Sequence, residues 1–309
     1  MLKNVVITGP TGVLGTALIK KMAEKHINSY VVCHPGSKRT KNILQNEYIH
    51  KVECDMSDIK DLPKLIGKSC DAFFHLAWLG TVDPKNRLNM HLQNTNVAYT
   101  LDAVDAAREL GCNVFIGAGS QAEYGRIEGV IHPYSPTNPI SGYGMAKLCA
   151  GQMTRFMCKT YGIRHIWARI LSVYGCNESD VTLVSVVINA LLDVKKPALT
   201  SGKQIWDYLH SDDVAEAFYR MAVDGQDGAV YVLGSGKTKR LCEFIKIIRD
   251  SIDPKLPLGL GELPYYKDQA MHLEADISTL TRDTGWLPQV DFEDGIKEVI
   301  LYEKNKRNI

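Results

Sequence analysis

Three side chains have the types and spacing of a proton-transfer site: Ser120, Tyr143 and Lys147. If residues 143–160 form a helix, Tyr143 and Lys147 stand one turn apart and share a face. A phenol with a pKa of about 10 is a poor base at neutral pH, and a neighbouring ammonium group stabilises the phenolate. Tyr143 can then exchange a proton with an alcohol or a carbonyl while a hydride moves, and the Ser120 hydroxyl can hold the oxygen. The pattern predicts oxidoreductase chemistry, provided that the chain supplies a dinucleotide site.

The turn after the first predicted strand has the composition of a dinucleotide-binding loop. Residues 4–8 are rich in β-branched side chains, as in a buried strand, and an amphipathic helix follows to about Lys25. Glycines between them let the backbone approach a pyrophosphate, whose charge the helix N-terminus favours. The spacing is Gly-x-x-Gly-x-x-Gly, not the usual Gly-x-Gly-x-x-Gly, and the alternative is a plain glycine-rich turn. The predicted cofactor contacts in this loop are Gly9, Thr11, Gly12, Val13, Leu14 and Gly15.

The segment after the second predicted strand bears on the choice between NAD and NADP. An NAD-selective site usually has an acidic residue here, which binds the ribose hydroxyls. No Asp or Glu occurs between Lys25 and Asn46, whereas His34, Lys38 and Arg39 follow the strand. Cationic side chains suit the 2′-phosphate of NADP. We therefore expect NADP in preference to NAD; the alternative is a solvated basic loop.

Later predicted strands bring further polar residues to the same edge of the sheet. A third strand ends at Asp55, which is placed to meet the adenine amino group, and a fifth delivers Ser120. In an open parallel sheet, ligands bind at the carboxyl ends of the strands. The predicted chemistry therefore lies where this fold binds its ligands.

The order of these motifs resembles that of the extended short-chain dehydrogenase/reductases, in particular their NAD(P)-dependent nucleotide-sugar epimerase/dehydratase group. The resemblance covers nearly the whole chain and rests on Thr8-Gly9-x-x-Gly12-x-x-Gly15, Asp55-Met56, His75-Leu76-Ala77, Asn96-Val97, Ser120-x-x-x-Tyr124-Gly125, Tyr143-x-x-x-Lys147, Arg169-x-x-Ser172-Val173-Tyr174-Gly175 and Trp206-Asp207-Tyr208-Leu209-His210-x-Asp212-Asp213. It implies that Ser120, Tyr143 and Lys147 form a catalytic triad, with the last two also contacting the cofactor. It implies a homodimer formed through helices near 87–110 and 143–160. It also implies cofactor contacts by Met56, Leu76, Ala77, Trp78 and Asn96.

Two positions after Ser120 narrow the reaction. The related 4,6-dehydratases have an acid and a base there, Asp and Glu, but this chain has Gln121 and Ala122. Related decarboxylases keep a Glu, and fucose-type epimerase-reductases a Cys, where Ala122 stands. Chemistry with one hydride and one proton remains, which is reduction of a keto-sugar or 4-epimerisation through a transient ketone. The family's 4-epimerases mostly resemble NAD enzymes, and the basic loop after the second strand favours NADP, so we expect a 4-keto-sugar reductase. The alternatives are an NAD-dependent nucleotide-sugar 4-epimerase and, from another class, a non-catalytic cofactor-sensing protein.

The family's substrate-binding positions carry different residues in this chain. Trp206 stands where an Arg usually binds the nucleotide diphosphate, Lys267 matches a second Arg, and Ser172 replaces an Asn. A lysine lacks the bidentate fork of arginine, so a non-nucleotide carbonyl substrate stays an alternative to a nucleotide-sugar. The predicted substrate contacts are Trp78, Gln121, Glu123, Ser172, Tyr174, Lys203, Trp206 and Lys267.

Composition and sequence pattern limit the possible fold, binding partners and cellular compartment. The 309 residues carry a net charge of +1, which favours neither a nucleic-acid nor a membrane partner. The eight cysteines include no Cys-x-x-Cys pair, so they predict reduced thiols and no metal site. The first strand leaves no room for a signal peptide, so we expect a cytoplasmic protein. We expect an α/β fold: a doubly wound parallel Rossmann sheet (1–170 and about 205–235) with a smaller C-terminal substrate-binding lobe (171–204 and 236–309).

Overall fold

The computed structural model of the protein describes residues 2–81, 83–267 and 269–309. Its strands are β1 (Asn4–Thr8), β2 (Asn28–Cys33), β3 (Ile49–Glu53), β4 (Ala72–His75), β5 (Val114–Ser120), β6 (Arg164–Ile170), β7 (Ser172–Tyr174), β8 (Ala198–Leu199), β9 (Ile205–His210), β10 (Ala229–Leu233), β11 (Thr238–Arg240) and β12 (Gly259–Leu260). Its α-helices are α1 (Val13–Glu24), α2 (Leu62–Ile66), α3 (Pro84–Leu88), α4 (Met90–Glu109), α5 (Gly142–Tyr161), α6 (Leu183–Leu192), α7 (Ser211–Asp224), α8 (Leu241–Ile252), α9 (Ser278–Thr284) and α10 (Phe292–Arg307).

Seven strands form one parallel sheet in the order β3-β2-β1-β4-β5-β6-β10. The strand order reverses between β1 and β4, and at such a switch point the loops diverge and leave a crevice. Val5, Val6 and Ile7 are fully buried, as expected for a strand with helices on both faces of its sheet. The doubly wound parallel fold predicted from the sequence is confirmed.

Helices cover the two faces of this sheet with separate cores. On one face α1 packs against α7, and Leu18, Met22 and Phe218 are buried between them and the strands. On the other face α4 packs against α5, and α4 contributes Ala103 and Ala107 to the core. The small alanine side chains let α4 lie close to the sheet. This layering fixes the carboxyl ends of the strands as one rigid edge.

A smaller lobe stands over that edge. It contains the sheet β11-β9-β7, the pair β12-β8, and a core of helices α6, α8 and α10 that buries Ile188, Phe244 and Ile296. Strand β9 belongs to this small sheet. Of the segment 205–235, which we expected to return to the Rossmann domain, α7 and β10 therefore pack on the large sheet and β9 does not.

The described residues contain neither a membrane-spanning helix nor a cluster of metal ligands. None of their helices is long and apolar enough to cross a membrane. Their His, Cys, Asp and Glu side chains form no group of three or more that could hold a metal ion.

Candidate active site

The three predicted catalytic side chains line one cavity at the carboxyl edge of the large sheet. Strand β5 ends at Ser120, and the start of α5 presents Tyr143 and Lys147 beside it. Ser141 caps α5, because its Oγ accepts a hydrogen bond at 3.1 Å from a backbone N–H of the first turn. The helix predicted over 143–160 is confirmed, and it brings together residues that the sequence separates.

The Tyr143 phenol lies in an environment with opposing effects on its pKa. Burial raises the pKa, whereas a hydrogen bond with Ser120 and the positive charge of Arg87 lower it. The guanidinium carbon of Arg87 lies 4.2 Å from the centroid of the Tyr143 ring. Among the described residues, Arg87 has no carboxylate within ion-pair distance. An uncompensated cation therefore stands on the face of the proposed acid.

Lys147 is buried and forms no salt bridge with any other described residue. It is 3% exposed; its Nζ donates a hydrogen bond to the carbonyl oxygen of Ala118 at 2.6 Å and lies 3.8 Å from the centroid of the Trp78 ring. Burial lowers the pKa of Lys147 to about 7, against the opposing charge of Glu123. An anionic ligand beside Nζ would favour the ammonium form. The charge of this lysine thus depends on what occupies the site.

Two cavities of about 510 Å³ each share a wall along this edge and form one cleft. The inner cavity contains the three catalytic candidates, Gln121 and Arg87. The outer cavity contains Arg39, Lys41 and Lys306. Both cavities are lined by Gly9, Gly12, Val13, Leu76, Trp78, Thr81, Glu178 and Ser179. The cleft therefore fits a long ligand with an anionic outer end and a reactive inner end.

The glycine-rich loop has the geometry that a dinucleotide requires. Gly9 has a φ of +69°, and a Cβ on Gly15 would lie 2.2 Å from the Gly9 carbonyl oxygen. A Cβ on Gly12 would meet nothing closer than a guanidinium nitrogen of Arg39 at 4.0 Å, so the space over Gly12 is open. Helix α1 begins at the next residue, and its N-terminal N–H groups suit a pyrophosphate. The predicted contacts Thr11, Val13, Leu14, Leu76 and Ala77 also line the cleft.

The basic residues after β2 divide into two groups. Arg39 lines the outer cavity, and its Nη2 donates a hydrogen bond to the carbonyl oxygen of Thr11 at 3.2 Å. Lys38 does not line the cleft. His34 also lies outside it, with its Nε2 3.0 Å from Oδ2 of Asp55. Hydrogen bonds from the Ser57 backbone and side chain hold the pKa of Asp55 below its usual range.

Two other predicted cofactor contacts do not face the cleft either. Met56 opens a 3₁₀ turn after β3 and packs at the edge of the core. The Asn96 side chain accepts a hydrogen bond from the Leu79 backbone N–H at 2.8 Å and donates one to the Leu79 carbonyl oxygen at 3.0 Å. Asn96 therefore holds the loop after β4, which carries cleft residues, and is a support for the site.

Glu123, a predicted substrate contact, is fully buried away from the cleft. Its Oε1 accepts hydrogen bonds from the Ser120 backbone N–H at 2.8 Å and from Trp167 Nε1 at 2.9 Å, and its Oε2 lies 2.7 Å from Arg169 Nε. With both oxygens held by protein donors, the carboxylate is not free for a substrate. The structure corrects this prediction: Glu123 braces the end of β5.

Five more predicted substrate contacts lie outside both cavities. Tyr174 is fully buried in the core of the lobe. Ser172 accepts a hydrogen bond from Trp206 Nε1 at 2.9 Å, so these two side chains satisfy each other. Lys203 and Lys267 are exposed. Of the eight predicted substrate contacts, Trp78 and Gln121 line the inner cavity.

The loop between β7 and α6 supplies cleft residues that the sequence pattern missed. Asn177 has a φ of +63°, and its Oδ1 accepts a hydrogen bond from the Tyr302 hydroxyl at 2.6 Å. Asp180 pairs with Lys306 at 3.8 Å. Between them lies Glu178, whose Oε2 is buried and has no hydrogen-bond partner in the part of the chain that the structure describes. Burial raises the pKa of Glu178 to about 8. These residues form no local sequence motif, because the position of the loop depends on contacts with α10, which is distant in the sequence.

Comparisons with known proteins agree with this geometry. Residues 5–234 match the model of the NAD dependent epimerase/dehydratase family. A dTDP-glucose 4,6-dehydratase of Neisseria gonorrhoeae is 26% identical over 97% of this chain and 95% of that protein. The structure of a UDP-N-acetylglucosamine 4-epimerase from Methanobrevibacter ruminantium superimposes with a TM-score of 0.89 at 21% identity, over 98% and 99% of the two chains. A dTDP-glucose 4,6-dehydratase from Streptomyces venezuelae with NAD bound gives 0.86 at 21% identity, over 99% and 98%. The chain belongs to the NAD dependent epimerase/dehydratase family and is an enzyme of the extended short-chain dehydrogenase/reductase type.

Proposed function

We propose that the protein is an NADP-linked reductase of a keto-sugar, with the 4-keto group of a nucleotide-sugar as the preferred acceptor. The observation that carries this proposal is the surroundings of Ser120. The positions of the dehydratase acid and base hold Gln121 and Ala122, and the neighbouring carboxylate, Glu123, is locked to Arg169 and the end of β5. These positions therefore lack the acid and the base that elimination of water requires, whereas hydride transfer with a single proton needs only the triad.

In this mechanism the bound nicotinamide supplies the hydride. The Ser120 hydroxyl holds the keto oxygen, and Tyr143 gives it a proton as the alcohol forms. The phenolate left on Tyr143 is stabilised by two cations, Lys147 and the Arg87 guanidinium on its ring face. Lys147 would also hold the nicotinamide ribose.

The preference for NADP rests on the outer cavity. Arg39, Lys41 and Lys306 line it, together with two acidic residues, Glu178 and Asp180, of which Asp180 is paired with Lys306. A 2′-phosphate adds negative charge and acceptor oxygens, which a guanidinium binds well.

Arg87 supports a substrate with an anionic group. A guanidinium stacked on a ring keeps the N–H groups in its plane free, and these can bind a phosphate or carboxylate in a bidentate manner. The usual arginine positions hold Trp206, which is bonded to Ser172, and the exposed Lys267. We therefore place the substrate anion next to Tyr143.

A 4-epimerase is the second candidate, because the relatives named above include a 4-epimerase and because epimerisation through a transient ketone uses the same triad. It would require the cofactor to stay bound and to take back its hydride. For either reaction we propose a homodimer, since α5 exposes Met145, Met153 and Phe156 on its outer face; light scattering distinguishes the dimer from a monomer.

Cofactor titration tests the proposal. Any nucleotide that co-purifies is released and identified, and NADPH and NADH are then titrated by nicotinamide fluorescence. We expect exchangeable binding that favours NADPH, and Arg39→Ala should weaken NADPH roughly tenfold or more while changing NADH little. Lys38→Ala is the matched control, because that lysine lies outside the cleft, and it should behave as the unmodified protein. Non-exchanging NAD would favour the epimerase, and no binding of either nucleotide would overturn the proposal.

A further inference from the structure

One carboxyl group in the cleft has an unexplained oxygen. The Glu178 carboxyl interacts with the Thr182 side chain and the Gly175 backbone, but its Oε2 is buried and has no hydrogen-bond partner among the described residues. Buried polar atoms in native proteins are almost always satisfied, because an unmade hydrogen bond costs free energy. An atom of this kind in the wall of a cleft points to a ligand as its missing partner.

The position of Glu178 is fixed by its neighbours. The Tyr302 hydroxyl holds Asn177 at 2.6 Å, and Lys306 pairs with Asp180 on the other side. Glu178 lines the inner and the outer cavity, together with Gly9 and Gly12 of the glycine-rich loop. Glu178 therefore borders the part of the cleft where the two phosphates of a dinucleotide would lie.

We propose that Glu178 is a cofactor-binding residue whose carboxyl group is neutral when the dinucleotide is bound and donates a hydrogen bond to an oxygen of the cofactor. This inference rests on the proposed function, because it requires NAD(P)H in the cleft. An ionised carboxylate would repel the diphosphate, whereas the neutral acid can donate to it. Burial already raises the pKa of Glu178 to about 8 in the free protein, so protonation near neutral pH is easy.

Other titratable groups share the cleft with Glu178. None of the described Lys, Arg or His side chains forms an ion pair with its carboxyl group. The nearby Tyr208 phenol, whose pKa burial raises, is affected by the charge of Glu178. Lys147, with a pKa lowered by burial to about 7, also gains a proton as an anion approaches. The groups that line the two cavities are Arg39, Lys41, Arg87, Tyr143, Lys147, Asp180, Tyr302 and Lys306.

The sign of the effect follows from linkage. If binding requires the neutral acid, affinity is constant below the free pKa of Glu178 and falls as the pH rises above it. The dissociation constant of NADPH should therefore rise up to about tenfold per pH unit above about pH 8, until the pKa of the complex is reached. Lys147 changes affinity in the same direction but around a lower pH, so variants must separate the two groups.

The test measures the dissociation constants of NADPH and NADH by fluorescence from about pH 6.5 to 9.5. Glu178→Gln keeps a neutral donor, so at pH 7 its affinity should stay within about threefold of that of the unmodified protein. Above pH 8 its dissociation constant should rise less steeply than that of the unmodified protein, because only the contribution of Lys147 remains. Glu47→Gln is the matched control: it makes the same substitution at an exposed glutamate outside both cavities and should keep the full rise. Calorimetry in two buffers at about pH 8.5 should show proton uptake by the unmodified protein that falls in Glu178→Gln.

The outcomes separate this inference from the function beneath it. Equal pH dependence in Glu178→Gln and the unmodified protein would overturn the role of Glu178 and leave the reductase proposal intact. No binding by the unmodified protein at any pH would overturn both. If Glu178→Gln fails to fold, Glu178→Ala serves in its place, because it also removes the ionisable group and should reduce the steepness of the rise above pH 8.

Discussion

The cofactor side of the cleft and the substrate side differ in how they are built. The cofactor side is mostly backbone: a glycine-rich loop, a helix N-terminus and strand ends at one sheet edge. The substrate side is made of side chains, Trp78 after β4, Arg87 of α3 and Gln121 after β5, which meet only in the folded chain. Backbone sites depend on local sequence, and side-chain sites depend on tertiary packing. Cofactor binding and substrate choice should therefore respond differently to substitution.

Tyr143→Phe should have the largest effect on activity, because Tyr143 lies where the two sides meet. Loss of the proton donor should lower turnover by roughly a hundredfold to ten-thousandfold. The cofactor dissociation constant should hardly change, because the binding groups on the cofactor side are untouched. Steady-state kinetics and fluorescence titration measure the two quantities. Retained turnover would remove Tyr143 from the mechanism.

Two alanine substitutions test the cofactor side, which is mostly backbone. Gly12→Ala should fold normally, because its Cβ meets only an arginine end at 4.0 Å, but the methyl group would occupy the pyrophosphate path and weaken NADPH binding at least about tenfold. Gly15→Ala should destabilise the fold by about 1–3 kcal/mol, because its Cβ would lie 2.2 Å from the Gly9 carbonyl oxygen. Thermal melting separates the two effects. A Gly12→Ala protein with full NADPH affinity would contradict the proposed cofactor position.

Arg87→Gln tests the substrate side, and its expected effect is smaller. The Michaelis constant for an anionic substrate should rise roughly tenfold, because a charge-assisted hydrogen bond is lost, while NADPH affinity stays the same. Removal of the cation also raises the pKa of Tyr143, so the alkaline limb of the reduction rate should move to higher pH. Lys203→Ala is the control, since that exposed lysine lies outside the cleft. Equal kinetics for both variants would exclude Arg87 from substrate binding.

The sequence predicted the fold and the meeting of Ser120, Tyr143 and Lys147 at one edge of the sheet, because the signals for them are local. Strand, turn and helix follow one another around Gly9 and Gly12, and the spacing of Tyr143 and Lys147 needs only a helix. The role of Glu123 was wrong because its burial depends on Trp167 and Arg169, which arrive from β6.

The cleft residues that the sequence analysis missed also depend on distant elements for their position. Glu178 and Arg87 lie in no recognisable motif, and their position depends on α10 and on the face of Tyr143. Tyr174 looked like a pocket aromatic and is a core residue, because a pattern of residue types does not say which face of β7 the lobe covers.

The meeting of the β7–α6 loop with α10 has a consequence for synthesis of the chain. Thr11 and Lys306 line the same outer cavity, although they stand near opposite ends of the sequence. The outer cavity cannot be complete until α10 has left the ribosome and docked. During translation the large sheet can assemble first, but firm capture of the dinucleotide has to wait. Bound nucleotide would then be found only on molecules in which the segments around Thr11 and Lys306 have both folded into place.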